Sequence, residues 1–159
     1  MGDATDTHHG TAIALGTAAA LIIGPSGSGK SDLALRCIAS APSLIVPEPA
    51  VLIADDRVII ERVGAGLQAS APKTILGKLE VRGMGIVTVP FRPSAHLVLA
   101  VELVAPGLVE RLPDPPLLRD FLGLRLPLVR LAPFEASAPV KLLLALAQAA
   151  AGPQKAPET

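Results

Sequence analysis

Apolar residues in this chain fall into short blocks cut by glycine and proline, and only twice into a helical stripe. TAIAL and AAALII (residues 11–15 and 18–23) surround a Gly-Thr pair and predict two short strands joined by a turn. In SDLALRCIAS the spacing changes. Apolar positions 33, 35, 37 and 38 form a helical stripe that opens at Gly29–Ser31. APSLIVPEPA (41–50) carries three prolines and predicts a loop. VLIADD predicts a buried strand ending in two acids, which RVIIERV extends past a bend.

LQASAP, KLEVRG and MGIVTVP predict further short strands, HLVLAVEL (96–103) a longer one, and LRLPLVRL another. Between the last two, PGLVERLPDPP reads as a connection with a helical turn. SAPVKLLLALAQAAAG predicts a closing helix with Ser137 as N-cap, Pro139 in its first turn and Gly152-Pro153 as its stop. The order is strand, Gly-rich loop, helix, many strands, helix. That is an α/β domain, strand-rich and with few helices. We expect a loose segment at 1–8, one catalytic domain at 9–152 and a disordered tail at 153–159.

Composition narrows the class. At 159 residues with 50% hydrophobic content the chain can bury one core, and with 2% aromatics that core must be Ala, Val, Leu and Ile. Net charge is zero and no basic run or aromatic platform occurs, so nucleic acid is not an expected ligand. A single cysteine, Cys37, excludes an internal disulfide and fits a reducing compartment. Residues 11–24 are too short for a membrane span and lack the basic start of a signal peptide. We therefore expect a cytoplasmic protein with no membrane association.

The strongest chemical signal is GPSGSGKS: Gly24, Pro25, Ser26, Gly27, Ser28, Gly29, Lys30, Ser31. It fits G-x-x-x-x-G-K-[ST], a phosphate-binding loop whose glycines turn backbone N–H groups inward and whose following helix adds its positive end. Lys30 would reach the β- and γ-phosphates and Ser31 would ligate Mg²⁺. With glycine near 7% of average usage, a chance match to all four fixed positions is on the order of 1%, so an ordinary Gly/Ser turn is the weaker reading.

Asp55 and Asp56 close the strand VLIAD. Alternation along a strand would face them differently, one toward a metal and one toward a proton on an attacking hydroxyl; a capping acid pair is the plain alternative. Glu80 and Arg82, two apart, share a face and suit a metal and a transferring phosphoryl group, or else form a solvated surface pair. On their own, His9 reads as a terminal histidine, Arg111 as a surface arginine and Lys141 as a solvated lysine.

Taken together, these residues resemble the catalytic domain of HPr kinase/phosphorylase, a P-loop enzyme acting on a serine of the phosphocarrier protein HPr. The resemblance covers about residues 9–145. It rests on HG, GPSGSGKSDLAL, LIADD and LEVRGMGIVTV in the family's order, and most of all on LEVRGMGI, which matches the signature E-[IV]-R-G-[LM]-G-[IV]. The resemblance implies an ATP- and Mg²⁺-dependent protein-serine kinase with a fold like the nucleotide domain of phosphoenolpyruvate carboxykinase, assembled as a hexamer. It implies that Asp56 exchanges the proton of the target serine, that Asp55 and Glu80 serve Mg²⁺, and that His9 and Arg111 are active-site residues.

The chain also departs from the family pattern. We expect a short form without the usual N-terminal domain. APSLIVPEPA lengthens the gap before the acid pair. The late loop, ordinarily rich in Pro, Gly and Arg and linked to dephosphorylation, reads APFEASAPVK, which bears on the phosphorylase direction. Two other readings stay open from the residues: a small-molecule P-loop kinase, and a nucleotide-sensing module without turnover.

Overall fold

The computed structural model describes residues 4–152, as eleven strands and two helices. β2 (Thr11–Leu15) and β3 (Ala18–Ile23) form the predicted antiparallel pair. They sit inside a sheet ordered β1-β5-β6-β9-β3-β2-β4, where β1 is Thr5–His9, β4 Ala50–Ala54, β5 Arg57–Val63, β6 Gly66–Ser70 and β9 Ser94–Leu103. All residues of β2 and β3 are buried because both faces are covered, which is why their sequence shows no polar alternation. Ile13, Ala20 and Ile22 point into a core completed by α1 (Lys30–Ala39) and α2 (Ala138–Ala150). Ala12, Ala19 and Leu21 point into a second core with Ile53, Val58, Ile60, Leu67 and Phe121. Alanine fills many central positions, so these layers are built from aliphatic residues as the composition requires.

β9 is the branch point of the sheet. One edge runs parallel to β3; the other is held antiparallel by β6 over Ser94–His96 and then parallel by β11 (Leu124–Leu131) over Ala100–Leu103. The sheet therefore splits and curls around the second core. β11 pairs with β10 (Leu118–Phe121) across a two-residue turn, Leu122-Gly123, with both residues at positive φ (50 and 85) as a twist-matched hairpin requires. β7 (Lys78–Val81) and β8 (Gly85–Thr88) form a separate hairpin, turned by Gly83 and Gly85 at φ 90 and 92.

Several expectations are corrected. Residues 5–8 are not loose: with His9 they make the edge strand β1, paired to β5 from Thr5–Glu61 to His9–Arg57. The strand is polar because its side chains face mainly solvent and its attachment runs through the backbone. Only His8 turns inward, its ring edge-on to Phe121 at 5.3 Å. RVIIERV does not extend β4. It leaves at a turn and pairs with β1 and β6. Ser137 holds the N-cap position of α2 and Pro139 its first turn, but the serine side chain makes no capping hydrogen bond. Residues 1–3 and the expected disordered tail 153–159 lie outside the described residues. Among the described residues no helix is long and apolar enough to cross a membrane.

Candidate active site

β3 delivers the chain straight into the phosphate-binding loop, and α1 begins at Lys30. Gly27 and Gly29 stand at φ 80 and 99, where a side chain is strained. A Cβ at Gly24 would meet Ser28 Oγ at 2.6 Å. Ser28 N–H donates to the Pro25 carbonyl at 3.1 Å and closes the turn. The Lys30 side chain is buried and folds back across the mouth of the loop, its Nζ donating to the Gly24 and Pro25 carbonyls at 2.8 and 2.9 Å.

The two acids divide, through a turn and not through strand alternation. β4 ends at Ala54, and Asp55-Asp56 make the bend before β5. Arg57 N–H donates to the Asp55 carbonyl at 2.8 Å, and Asp56 adopts φ 67, a left-handed conformation that aspartate tolerates better than most residues. Asp55 is buried. Its Oδ1 accepts from Thr11 Oγ (2.9 Å) and Ser31 Oγ (2.7 Å), and its Oδ2 from the backbone N–H of Glu80 (3.1 Å). One carboxylate thus ties β2, α1 and the β7–β8 hairpin together. Asp56 is exposed, with His9 Nδ1 3.1 Å from its Oδ1. Gly10 can follow His9 only as glycine, since a Cβ there would lie 2.7 Å from the Ile22 carbonyl oxygen.

These elements enclose a cleft of about 550 Å³. His9, Lys30, Ser31, Asp55, Asp56, Glu80 and Arg82 line it, together with Ser26, Gly27 and Gly29. Gly24 sits at the base of the loop, and Pro25 and Ser28 face a second cavity on the loop's other side. Arg111 does not join the cleft. It is exposed in the connection between β9 and β10 and is not among the residues lining the cleft. Lys141 pairs with Glu135 at 2.9 Å on the surface, in keeping with a solvated lysine.

Thr11, Asp32 and Phe134 are among the cleft residues that the sequence reading did not single out. Thr11 is a buried hydroxyl opening an otherwise apolar block, the signal that could have found it. Asp32 lines the cleft and accepts from Arg36 Nε at 3.0 Å, while the Arg36 guanidinium also donates to the Pro133 carbonyl. Phe134, beyond β11, lies in the late loop APFEASAPVK, which the resemblance marked as a segment without pointing to its phenylalanine.

Ser31, Asp55 and Glu80 offer a hydroxyl and two carboxylates, the hard oxygen donors that suit Mg²⁺. Among the described residues no cluster of three or more His, Cys, Asp or Glu could hold a metal alone, so a cation at this cleft would complete its shell with phosphate oxygens and water. On the buried face of α1, burial pushes the Cys37 thiol up to about 12, against a smaller opposing pull from Arg36, so this cysteine is no nucleophile at neutral pH.

The strand–loop–helix turn, the strand-rich sheet and the acid turn facing the loop define a P-loop kinase-type α/β domain. The HPr serine kinase C-terminal domain family matches residues 3–149, and the chain belongs to it. HPr kinase/phosphorylase of Bordetella pertussis is 34% identical over 131 residues, 76% of this chain and 40% of that protein. The protein of the same name from Clostridium novyi is 34% identical over 103 residues, 59% of this chain and 31% of that protein. The Hpr(Ser) kinase/phosphatase of Coxiella burnetii superposes with a TM-score of 0.72 at 23% identity, over 88% of this chain and 93% of that one. The fold is therefore shared. The chain spans about two fifths of the length of the Bordetella relative.

Proposed function

We propose that this domain transfers the γ-phosphoryl group of ATP to a serine hydroxyl of HPr or an HPr-like phosphocarrier protein. The observation that carries the proposal is the meeting of the phosphate loop, through Ser31 and Asp55, with the exposed Asp56–His9 pair in one cleft. The backbone N–H groups of the loop and the end of α1 would hold the phosphates. Lys30, freed from its loop carbonyls, and Arg82 would offset charge on the transferring oxygens. Mg²⁺, held by Ser31 and Asp55 with Glu80 beside them, would neutralise phosphate charge when bound. Asp56 would take the serine proton as the serine oxygen bonds to phosphorus and the bond to the ADP oxygen breaks; His9 would steady the Asp56 carboxylate.

Exposure favours a protein acceptor over a small metabolite. His9 and Asp56 side chains are 60% and 69% exposed, open enough for a serine presented on a folded surface. For phosphorolysis, inorganic phosphate would bond to the phosphoserine phosphorus as the bond to the serine oxygen breaks, Asp56 would return the proton to that oxygen, and pyrophosphate would leave. The family resemblance extends the proposal to a cytoplasmic hexamer, which sedimentation of the 16.2 kDa chain tests directly.

The deciding experiment incubates the purified protein with labelled ATP, Mg²⁺ and HPr and looks for phosphoserine. Absence of transfer overturns the kinase proposal. Transfer at full rate by Asp56→Asn overturns the assignment of the base.

A further inference from the structure

Phe134 is one of only three phenylalanines in a chain with no Trp or Tyr, yet it is 74% exposed. It sits in the loop between β11 and α2, held at both sides: Arg36 of α1 donates to the Pro133 carbonyl, and Lys141 of α2 pairs with Glu135 at 2.9 Å. Its ring rests over the phosphate loop. A Cβ at Gly29 would be 3.1 Å from both Cε1 and Cζ, so the ring packs there only because residue 29 is glycine. An aromatic ring held open on an ordered loop presents a face for another flat group.

The ring also stands between two cavities. On one side is the cleft containing Lys30 and Ser31; on the other is a cavity of about 460 Å³ walled by Pro25, Leu103, Pro106, Ala132 and Pro133. The second cavity is mostly apolar and falls within the ~300–1,000 Å³ of small-molecule sites. Ser28 lines it, with a buried hydroxyl oxygen that has no hydrogen-bond partner among the described residues. Because Pro25 and Ser28 belong to the phosphate loop itself, a molecule with phosphates on one side of that loop can reach this cavity without leaving the surface. A flat, largely apolar heterocycle with a polar edge fits the walls, the open ring and the unpaired hydroxyl together. A purine nucleotide has these features in one ligand.

We propose that Phe134 is the stacking surface for the base of the nucleotide, and that the adjoining cavity, with Ser28 as its polar contact, receives the base and sugar. This rests on the nucleotide reading above. Both contacts lie outside the phosphoryl-transfer groups, so they set affinity and base preference without taking part in the transfer.

The experiment measures binding of ATP and of inorganic tripolyphosphate, which carries the phosphates but no base, at one Mg²⁺ concentration by titration calorimetry. The unaltered protein should bind ATP more tightly than tripolyphosphate. Phe134→Ala should weaken ATP on the order of tenfold, the scale of one base–aromatic stack, and leave tripolyphosphate within about twofold. In Phe134→Trp, the only tryptophan of the chain should report ATP by a change in fluorescence and stay silent to tripolyphosphate, with ATP affinity retained. Equal affinity of the unaltered protein for the two ligands overturns the proposal, and so does an equal loss of both in Phe134→Ala. Binding of neither ligand overturns the nucleotide reading beneath it. Phe134 is exposed, so both variants should melt as the unaltered protein does, and thermal unfolding verifies this.

Discussion

His9 Nδ1 lies 3.1 Å from Asp56 Oδ1, a contact between the end of an edge strand and a left-handed turn. Neither residue is placed by its own segment alone. β1 registers on β5 so that His9 pairs with Arg57, the residue after Asp56, and Gly10 N–H donates to the Asp56 carbonyl at 3.3 Å. Asp56 should therefore be the most sensitive position for phosphoryl transfer. Asp56→Asn keeps the left-handed backbone, which asparagine also tolerates, and should lower the rate of phosphoserine formation by roughly 10²–10⁴-fold with unfolding unchanged. His9→Ala should cost less, since it removes a support and leaves the base. Quantifying both rates at saturating ATP tests the order.

Thr11 gives the buried Asp55 one of its three hydrogen bonds. Thr11→Val removes a hydroxyl from a buried carboxylate without changing side-chain shape, and should destabilise the fold by about 1–3 kcal/mol. Urea unfolding should show a lower midpoint with an unchanged slope. Thr11→Ser keeps the donor and should recover most of the loss, whereas equal costs for the two variants would mean the methyl group and not the hydroxyl matters.

Gly29 is constrained twice, by its φ of 99 and by the Phe134 ring 3.1 Å from a Cβ position. Gly29→Ala should cost on the order of 1–3 kcal/mol through backbone strain and should weaken phosphate binding as the loop shifts. Combining it with Phe134→Ala removes the steric part alone. The double variant should regain some stability in thermal melts and still fall short of Phe134→Ala.

Cys37 sets a stability trend at high pH. In the folded protein burial holds its thiol up to about 12, while the unfolded thiol ionises near 9.0. The unfolded state loses its proton first, so this contribution to stability is complete below 9.0 and declines as pH rises toward 12. Comparing Cys37→Ala with the unaltered protein should show a smaller loss of stability across that window in the variant. In the native protein at pH 8, a thiol-alkylating reagent should label Cys37 only as fast as the fold opens.

Much was legible from the amino acids because local chemistry decided it. GPSGSGKS can make one kind of turn, TAIAL-GT-AAALII two strands about a turn, and KLEVRG and MGIVTVP two short strands; each depends on backbone freedom or on burial within a few residues. LEVRGMGI carried the family. The sequence also brought forward His9, Asp55, Asp56, Glu80 and Arg82, all of which line the cleft.

What the residues could not reveal is whatever depends on pairing between distant strands. The polar β1 has no hydrophobic pattern, because its hold on β5 is a backbone ladder that any side chains allow. Asp55 and Asp56 separate through one left-handed residue and not through pleating. The connections after β9 and β11 both leave the sheet at the end where β3 enters the phosphate loop, yet only Phe134 lines the cleft and Arg111 does not, so the path of each connection, and not position along the chain, determines which side chain arrives. Sequence determined the phosphate loop, its helix and the chemical types available. Tertiary structure alone decided which side chains meet there, because loop tips far apart in the chain are brought together only when long-range pairing and burial of both sheet faces fix where each strand ends.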